Sequence, residues 1–175
     1  MKLINERLPV WVYQYPFADD INPILYSFIA SLSIESKFYK RNKSQNLIRH
    51  IKNKNLYYRN KNMEVLVKWI TKIINRDGER LAYADGTKIP LECAELWSVL
   101  YNIGDEVTPH SHMGYRYTFS YYVKSPERSS PLVFTTSGYE IYPKEGQLII
   151  FDAAFMHHVP PNKCDDRCVL VGNFI

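Results

Sequence analysis

From Glu95 onward the chain is cut into short strand-like runs by turn residues, and this pattern constrains the fold more than any other feature of the sequence. The runs cover residues 95–101, 115–124, 131–135, 139–142, 146–151 and 167–173. Between them stand Asn102 and Gly104, Ser125-Pro126, Ser137-Gly138, Lys144 to Gly146, and Pro160 to Asn162. Short runs rich in Val, Ile, Tyr and Phe, each closed by Gly, Pro, Asn or Ser, read as strands. Strands this short and this regularly spaced bury their apolar sides by closing into a sandwich or barrel, such as a jelly roll.

Two helices are expected ahead of the strands. Asn22-Pro23 reads as an N-cap followed by a proline in the first turn, with the apolar stripe of ILYSFIASL behind it. In the second, over 62–76, Leu66, Trp69, Ile70, Ile73 and Ile74 recur at helical spacing and share one face. Gly78 stands where a helix stop belongs. Residues 40–61 are polar and ambiguous. The 175 residues suggest one domain. Its first part, 1–90, is expected to be mainly helical, and 91–175 to form the β core. The fold class is therefore α+β, mainly β.

Chemistry concentrates in the β half. His110 and His112 are two apart in VTPHSHMG, and an extended backbone sends residues i and i+2 to one side. Imidazole is the commonest metal ligand among side chains. A third ligand is sought at His157 and His158, which lie between two strands, while His50, in a basic segment, reads as a surface residue. In YRYTFSYYV, Tyr115, Tyr117, Phe119, Tyr121 and Val123 form an aromatic face suited to packing on helices. Arg116, Thr118, Ser120, Tyr122 and Lys124 form the other, which is polar enough to line a wet pocket. Arg167 begins the last strand on the same face as Val169, Val171 and Asn173. An inward arginine needs an anion, and a carboxylate ligand meets it with a bidentate pair. An exposed arginine paired with Asp165 or Asp166 is the ordinary alternative.

The order Tyr101, His110-Ser-His112, Tyr122, His157-x-Val159-x-Pro161, Arg167 resembles the 2-oxoglutarate- and Fe(II)-dependent oxygenases. The likeness is to their prolyl-hydroxylase-like branch, and most of all to small members from bacteria and bacteriophages. It spans LWSVLYNIGDEVTPHSH, FSYYV, SSPLVF, YPKEGQLIIFDAAFMHHVPPN and RCVLVGNF. The resemblance implies a double-stranded β-helix, the family's jelly roll, with N-terminal helices packed on one sheet. It also implies Fe(II) and 2-oxoglutarate as cofactors, O2 as a reactant, and a prime substrate that is a protein side chain, a nucleic acid or a small molecule. His110 matches the first iron ligand, His157 the distal one, and Arg167 the arginine that grips the far carboxylate of 2-oxoglutarate. Tyr101 and Tyr122 match tyrosines that hydrogen-bond this cosubstrate in some relatives. The family pattern is H-x-D or H-x-E, so His112 stands where a carboxylate is usual, and it is expected to be the third ligand. Water, Asp105 or Asp152 would replace it if its ring points away.

Two readings from other classes compete. A cupin-like metalloenzyme would use His110, His112 and His157 without 2-oxoglutarate and give Arg167 no role. A non-catalytic β-sandwich would bind nucleic acid through the basic segment 37–76. That segment has twelve Lys or Arg against Glu64 alone, a local +11 that leaves −7 for the remainder of the net +4. Its Lys, Asn and Ile also suit a plain solvated surface. Cys93, Cys164 and Cys168 are an odd set without zinc spacing and read as reduced thiols. No run of about 18 apolar residues is present, so no membrane partner is expected. The N-terminus has no apolar secretory core, and a cytoplasmic location is the expectation.

Overall fold

The computed structural model describes residues 9–32, 39–42, 47–50, 54–78 and 82–175. Eleven strands and three helices follow one another among them: β1 (Val10–Gln14), α1 (Ala18–Leu32), β2 (Tyr39–Asn42), β3 (Leu47–His50), α2 (Lys54–Tyr57), α3 (Lys61–Asp77), β4 (Cys93–Tyr101), β5 (Val107–His110), β6 (Tyr117–Lys124), β7 (Leu132–Phe134), β8 (Tyr139–Ile141), β9 (Gln147–Asp152), β10 (His157–Val159) and β11 (Arg167–Phe174). They form two antiparallel sheets, one ordered β1-β9-β6-β11-β4-β3-β2 and one ordered β5-β10-β7-β8. The larger sheet is apolar on both sides, which gives two cores. On one side Leu25 and Ile29 of α1 and Leu66, Ile70 and Ile74 of α3 meet Tyr117, Phe119, Tyr121, Ile150 and Leu170. On the other, Val99, Tyr122, Ile149 and Val169 meet Leu132, Phe134 and Val159 of the smaller sheet. This is the jelly roll with helices on one sheet that the strand pattern predicts. Burying each large aliphatic side chain contributes about 1.5–3 kcal/mol, so the helices are held mainly by this face.

Local chemistry explains the helix ends. Asn60 caps α3, its side-chain oxygen accepting from the backbone N–H groups of Asn62 and Met63 at 3.0 and 3.3 Å. Gly78 closes α3, though not through a left-handed turn, since its φ is −75°. Space keeps it glycine: a Cβ there would lie 2.6 Å from the Ile74 carbonyl oxygen and 2.9 Å from the Tyr117 ring.

Three expectations need correction. Helix α1 starts at Ala18 rather than at Asn22, so Pro23 lies inside it. Asn22 is not a cap; it is buried and accepts a hydrogen bond from the Tyr121 hydroxyl at 2.8 Å. The first ninety residues also contribute β1, β2 and β3 to the larger sheet. Finally, the alternation read through 115–124 holds only over 117–123, and a register shift breaks it at Lys124. Tyr115 precedes the strand and turns toward the interior cavity, whereas Arg116 lies over Tyr117 and bonds Asp152. The Thr118 hydroxyl is bonded to the Gly172 carbonyl, and Lys124 sits over Tyr26 beside Asp166. Ser120 and Tyr122 are the two of that set that line the cavity.

Of the basic segment, residues 37, 38, 43–46 and 51–53 lie outside the described residues, as do residues 1–8 at the N-terminus. No helix among the described residues is long and apolar enough to cross a membrane. No disulfide joins Cys93, Cys164 and Cys168.

Candidate metal and cosubstrate site

The two sheets flank a cavity of about 490 Å³ lined by His110, His112 and His157. Its floor is a two-stranded ladder. Strand β11 pairs with β4 so that Arg167 faces Tyr101, Val169 faces Val99, Val171 faces Trp97 and Asn173 faces Glu95. Side chains on this pleat alternate, so these four rungs point to one side.

Strand pairing brings the histidines together. His157 of β10 is the direct register partner of His110 of β5. His112, two residues on, is fixed at the backbone by its N–H donating to the Ala153 carbonyl at 2.7 Å. The ligand nitrogens of His110, His112 and His157 all lie within 4.8 Å of one another. Nδ1 of His110 is 2.9 Å from the Thr108 carbonyl oxygen, and Nδ1 of His157 is 2.9 Å from that of Phe155. A backbone carbonyl at Nδ1 fixes the tautomer and leaves Nε2 as the coordinating nitrogen. The His112 ring is held by stacking, 14° from the Trp97 plane at 5.6 Å and 18° from His157 at 5.2 Å. Burial and the neighbouring His110 push the His157 pKa down to about 3, so this imidazole is neutral and ready to ligate at ordinary pH.

The other candidates fall elsewhere. His158 turns the opposite way, its Nδ1 2.8 Å from the Thr135 hydroxyl. Asp105 accepts from the Asn102 N–H at 2.7 Å, and Asp152 accepts from Ala154 and bonds Arg116. Neither carboxylate joins the histidine cluster. His50 ends β3, its backbone paired with Tyr39.

Arg167 is the largest fully buried side chain among the described residues, at 1 % exposure, and lines the same cavity. Its guanidinium carbon lies 4.3 Å from the Tyr101 ring centre and 5.6 Å from that of Tyr122. Its Nε and Nη1 have no hydrogen-bond partner among the described residues. The alternative partners are engaged elsewhere: Asp165 accepts from Ile103, and Asp166 from Tyr26 and Lys124. Burial pushes the Tyr122 hydroxyl up to about 12 against the opposing pull of Arg167, so it stays protonated and able to donate. Six residues singled out in the sequence thus converge on one cavity. Trp97 was not among them, although alternation from Tyr101 through Val99 already puts it on their face.

No family model and no curated protein sequence matches the chain. Solved structures do. A viral collagen prolyl hydroxylase from Paramecium bursaria Chlorella virus-1, in a 2-oxoglutarate complex, superposes with a TM-score of 0.73 at 13% identity, covering 94% of each chain. A 2-oxoglutarate-Fe(II) oxygenase-family oxidoreductase from Burkholderia pseudomallei gives 0.65 at 13% identity, over 94% of this chain and 84% of that one. A Pseudomonas putida prolyl-4-hydroxylase gives 0.59 at 14% identity, over 95% and 92%. The chain has the double-stranded β-helix fold of these oxygenases.

Proposed function

We propose that this chain is a 2-oxoglutarate- and Fe(II)-dependent oxygenase that oxidises a prime substrate with O2. The observation that carries the proposal is the presence, in one cavity, of a three-histidine cluster and a buried arginine with open donors. The residues fit both groups. Three imidazole nitrogens suit iron, and a buried cation with two unpartnered nitrogens suits a carboxylate. The fold shared with the viral and bacterial hydroxylases agrees with this assignment.

His110, His112 and His157 would hold the metal, with His112 taking the place that a carboxylate has in the usual pattern. When bound, iron and 2-oxoglutarate supply an O2-derived oxidant for a C–H bond, with succinate and CO2 as the co-products. The chain's own residues do the rest. Arg167 pairs with the distal carboxylate and replaces the water that the anion sheds. Tyr122 donates a hydrogen bond from its protonated hydroxyl, and the Tyr101 ring covers the guanidinium face. The Thr108 and Phe155 carbonyls hold the His110 and His157 rings in the ligating tautomer. Val99, Val169 and Val159 keep the cavity walls dry, which strengthens each charged contact inside.

The cupin-like reading uses the same histidines but leaves a desolvated arginine without purpose, which is costly to maintain. The test is succinate formation from 2-oxoglutarate. Wild type is expected to release succinate only with Fe(II) and O2, at a rate raised by a prime substrate. Metal-loaded protein that forms no succinate in any condition overturns the proposal.

A further inference from the structure

The cavity floor has a second orphaned polar group, at the end away from Arg167. Asn173 is 0 % exposed and lines the cavity, and its Oδ1 has no hydrogen-bond partner among the described residues. The orientation of this amide is set by chemistry. Its Nδ2 donates to the Glu95 carboxylate at 2.8 Å, and a carboxylate accepts only, so the oxygen must face the other way. A carboxylate behind Nδ2 also polarises the amide and makes Oδ1 a stronger acceptor.

The rungs place this acceptor relative to the histidines. His112 stacks over Trp97, on the rung next to that of Glu95 and Asn173. At about 3.4 Å per residue, the Asn173 rung lies about 7 Å from the Trp97 rung, and the Arg167 rung about 14 Å on the other side. The metal-binding cluster is thus flanked by two unfilled polar groups of opposite kind. Arg167 offers donors, and Asn173 offers an acceptor. Tyr115, which also lines the cavity, sits at the Asn173 end, with its hydroxyl beside Glu95. An anion satisfies the first end and gains nothing from the second.

We propose that Asn173 is a specificity-determining residue for the prime substrate, and that its Oδ1 receives an N–H donor from that substrate. The inference rests on the oxygenase reading for the identity of the occupant. The chemistry shared by an amide, a guanidinium and an ammonium group is the polar N–H, and a carboxylate or phosphate lacks it. A site built to pair one hydrogen bond rejects the analogue without that donor, because its own buried group is then left unpaired.

A matched pair of probes tests this on the metal-free, wild-type chain. N-methylacetamide has one N–H, and N,N-dimethylacetamide replaces it by a methyl group. The Asn173 side-chain amide is followed by ¹⁵N NMR while each is titrated, with guanidinium and acetate as further probes. N-methylacetamide or guanidinium is expected to shift the Asn173 resonance saturably, with the dimethyl analogue at least about tenfold weaker and acetate without effect there. In Asn173→Leu the two amides should no longer be distinguished. Because the matched pair is read in wild type, a misfolded variant does not rescue the idea. Equal affinity for the two amides, acetate binding at Asn173, or no saturable shift from N-methylacetamide or guanidinium overturns it. Titration with 2-oxoglutarate, read at the Arg167 Nε resonance, separates the two readings. Discrimination at Asn173 without 2-oxoglutarate binding at Arg167 keeps the donor subsite and removes the oxygenase.

Discussion

Replacing Arg167 by Met separates what the guanidinium costs the fold from what it binds. The side chain is 1 % exposed, and two of its nitrogens have no partner among the described residues. The ligand-free chain therefore holds a desolvated cation whose compensation includes the faces of Tyr101 and Tyr122 at 4.3 and 5.6 Å. Each such ring contact contributes about 0.5–2 kcal/mol. Desolvating the ion costs several kcal/mol, and an apolar replacement of similar volume is often neutral or stabilising by about 1–4 kcal/mol. Ligand-free Arg167→Met is accordingly expected to be at least as stable as wild type. In a chain of this size each kcal/mol moves Tm by about 2–4 °C. The cosubstrate reverses the order. Losing a charge-assisted pair to a buried carboxylate costs about 2–5 kcal/mol, which is about 30-fold to a few thousand-fold in Kd. The assay is thermal unfolding under anaerobic conditions with fixed Fe(II), with and without 2-oxoglutarate. At a hundred times the wild-type Kd, 2-oxoglutarate should stabilise wild type by about 2.7 kcal/mol and the variant by less than about 1 kcal/mol. A variant that loses stability without ligand, yet responds to 2-oxoglutarate as wild type does, would refute the reasoning.

Other outcomes follow from the same geometry. His157→Ala should lose bound metal while His158→Ala keeps it, because His158 turns to Thr135; metal analysis of the two purified proteins decides. His112→Asp restores a negative ligand, so Fe(II) plus the 2-oxoglutarate dianion should sum to −1 instead of zero, and iron should bind more tightly before cosubstrate is added. Equal iron affinity of His112→Ala and wild type would make this histidine a bystander. The pH dependence comes from His157, whose folded pKa is pushed down to about 3, below an unfolded value of about 6.5. Between those values the unfolded chain binds the extra proton, so metal-free stability is complete above about pH 6.5 and falls toward pH 3. The slope should approach 1.4 kcal/mol per pH unit in denaturant melts, and it should diminish in His157→Gln.

Much of the fold was legible because β4, β6, β9 and β11 show their environment as alternation or as continuous apolar runs. Arg167, Val169, Val171 and Asn173 could be assigned to one face from spacing alone, and that face is the cavity floor. The elements that escaped are short or conflicted. β5 and β10 have four and three residues, too few for a period to register, although they are what pairs His110 with His157. β1 is a five-residue run whose sheet partner, β9, is more than a hundred residues away. Helix α1 was misplaced because Asn22-Pro23 has the residue types of a helix start, while the buried bond from Tyr121 to Asn22 holds that turn inside the helix. At the site, His110-x-His112 and Arg167 were visible as residue types. The stacking of His112 on Trp97 and the open oxygen of Asn173 depend on sheet register, which no local window contains.

The central claim is that one cavity binds iron through three histidines and 2-oxoglutarate through Arg167. The most direct test is anaerobic titration of Fe(II)-loaded protein with 2-oxoglutarate, followed by visible absorption. A weak charge-transfer band should grow with one equivalent of 2-oxoglutarate in wild type. It should be lost in His112→Ala, and in Arg167→Met it should demand far higher 2-oxoglutarate. Iron bound by the three histidines with no such band at any 2-oxoglutarate concentration would contradict the account and leave a three-histidine metal site of another kind.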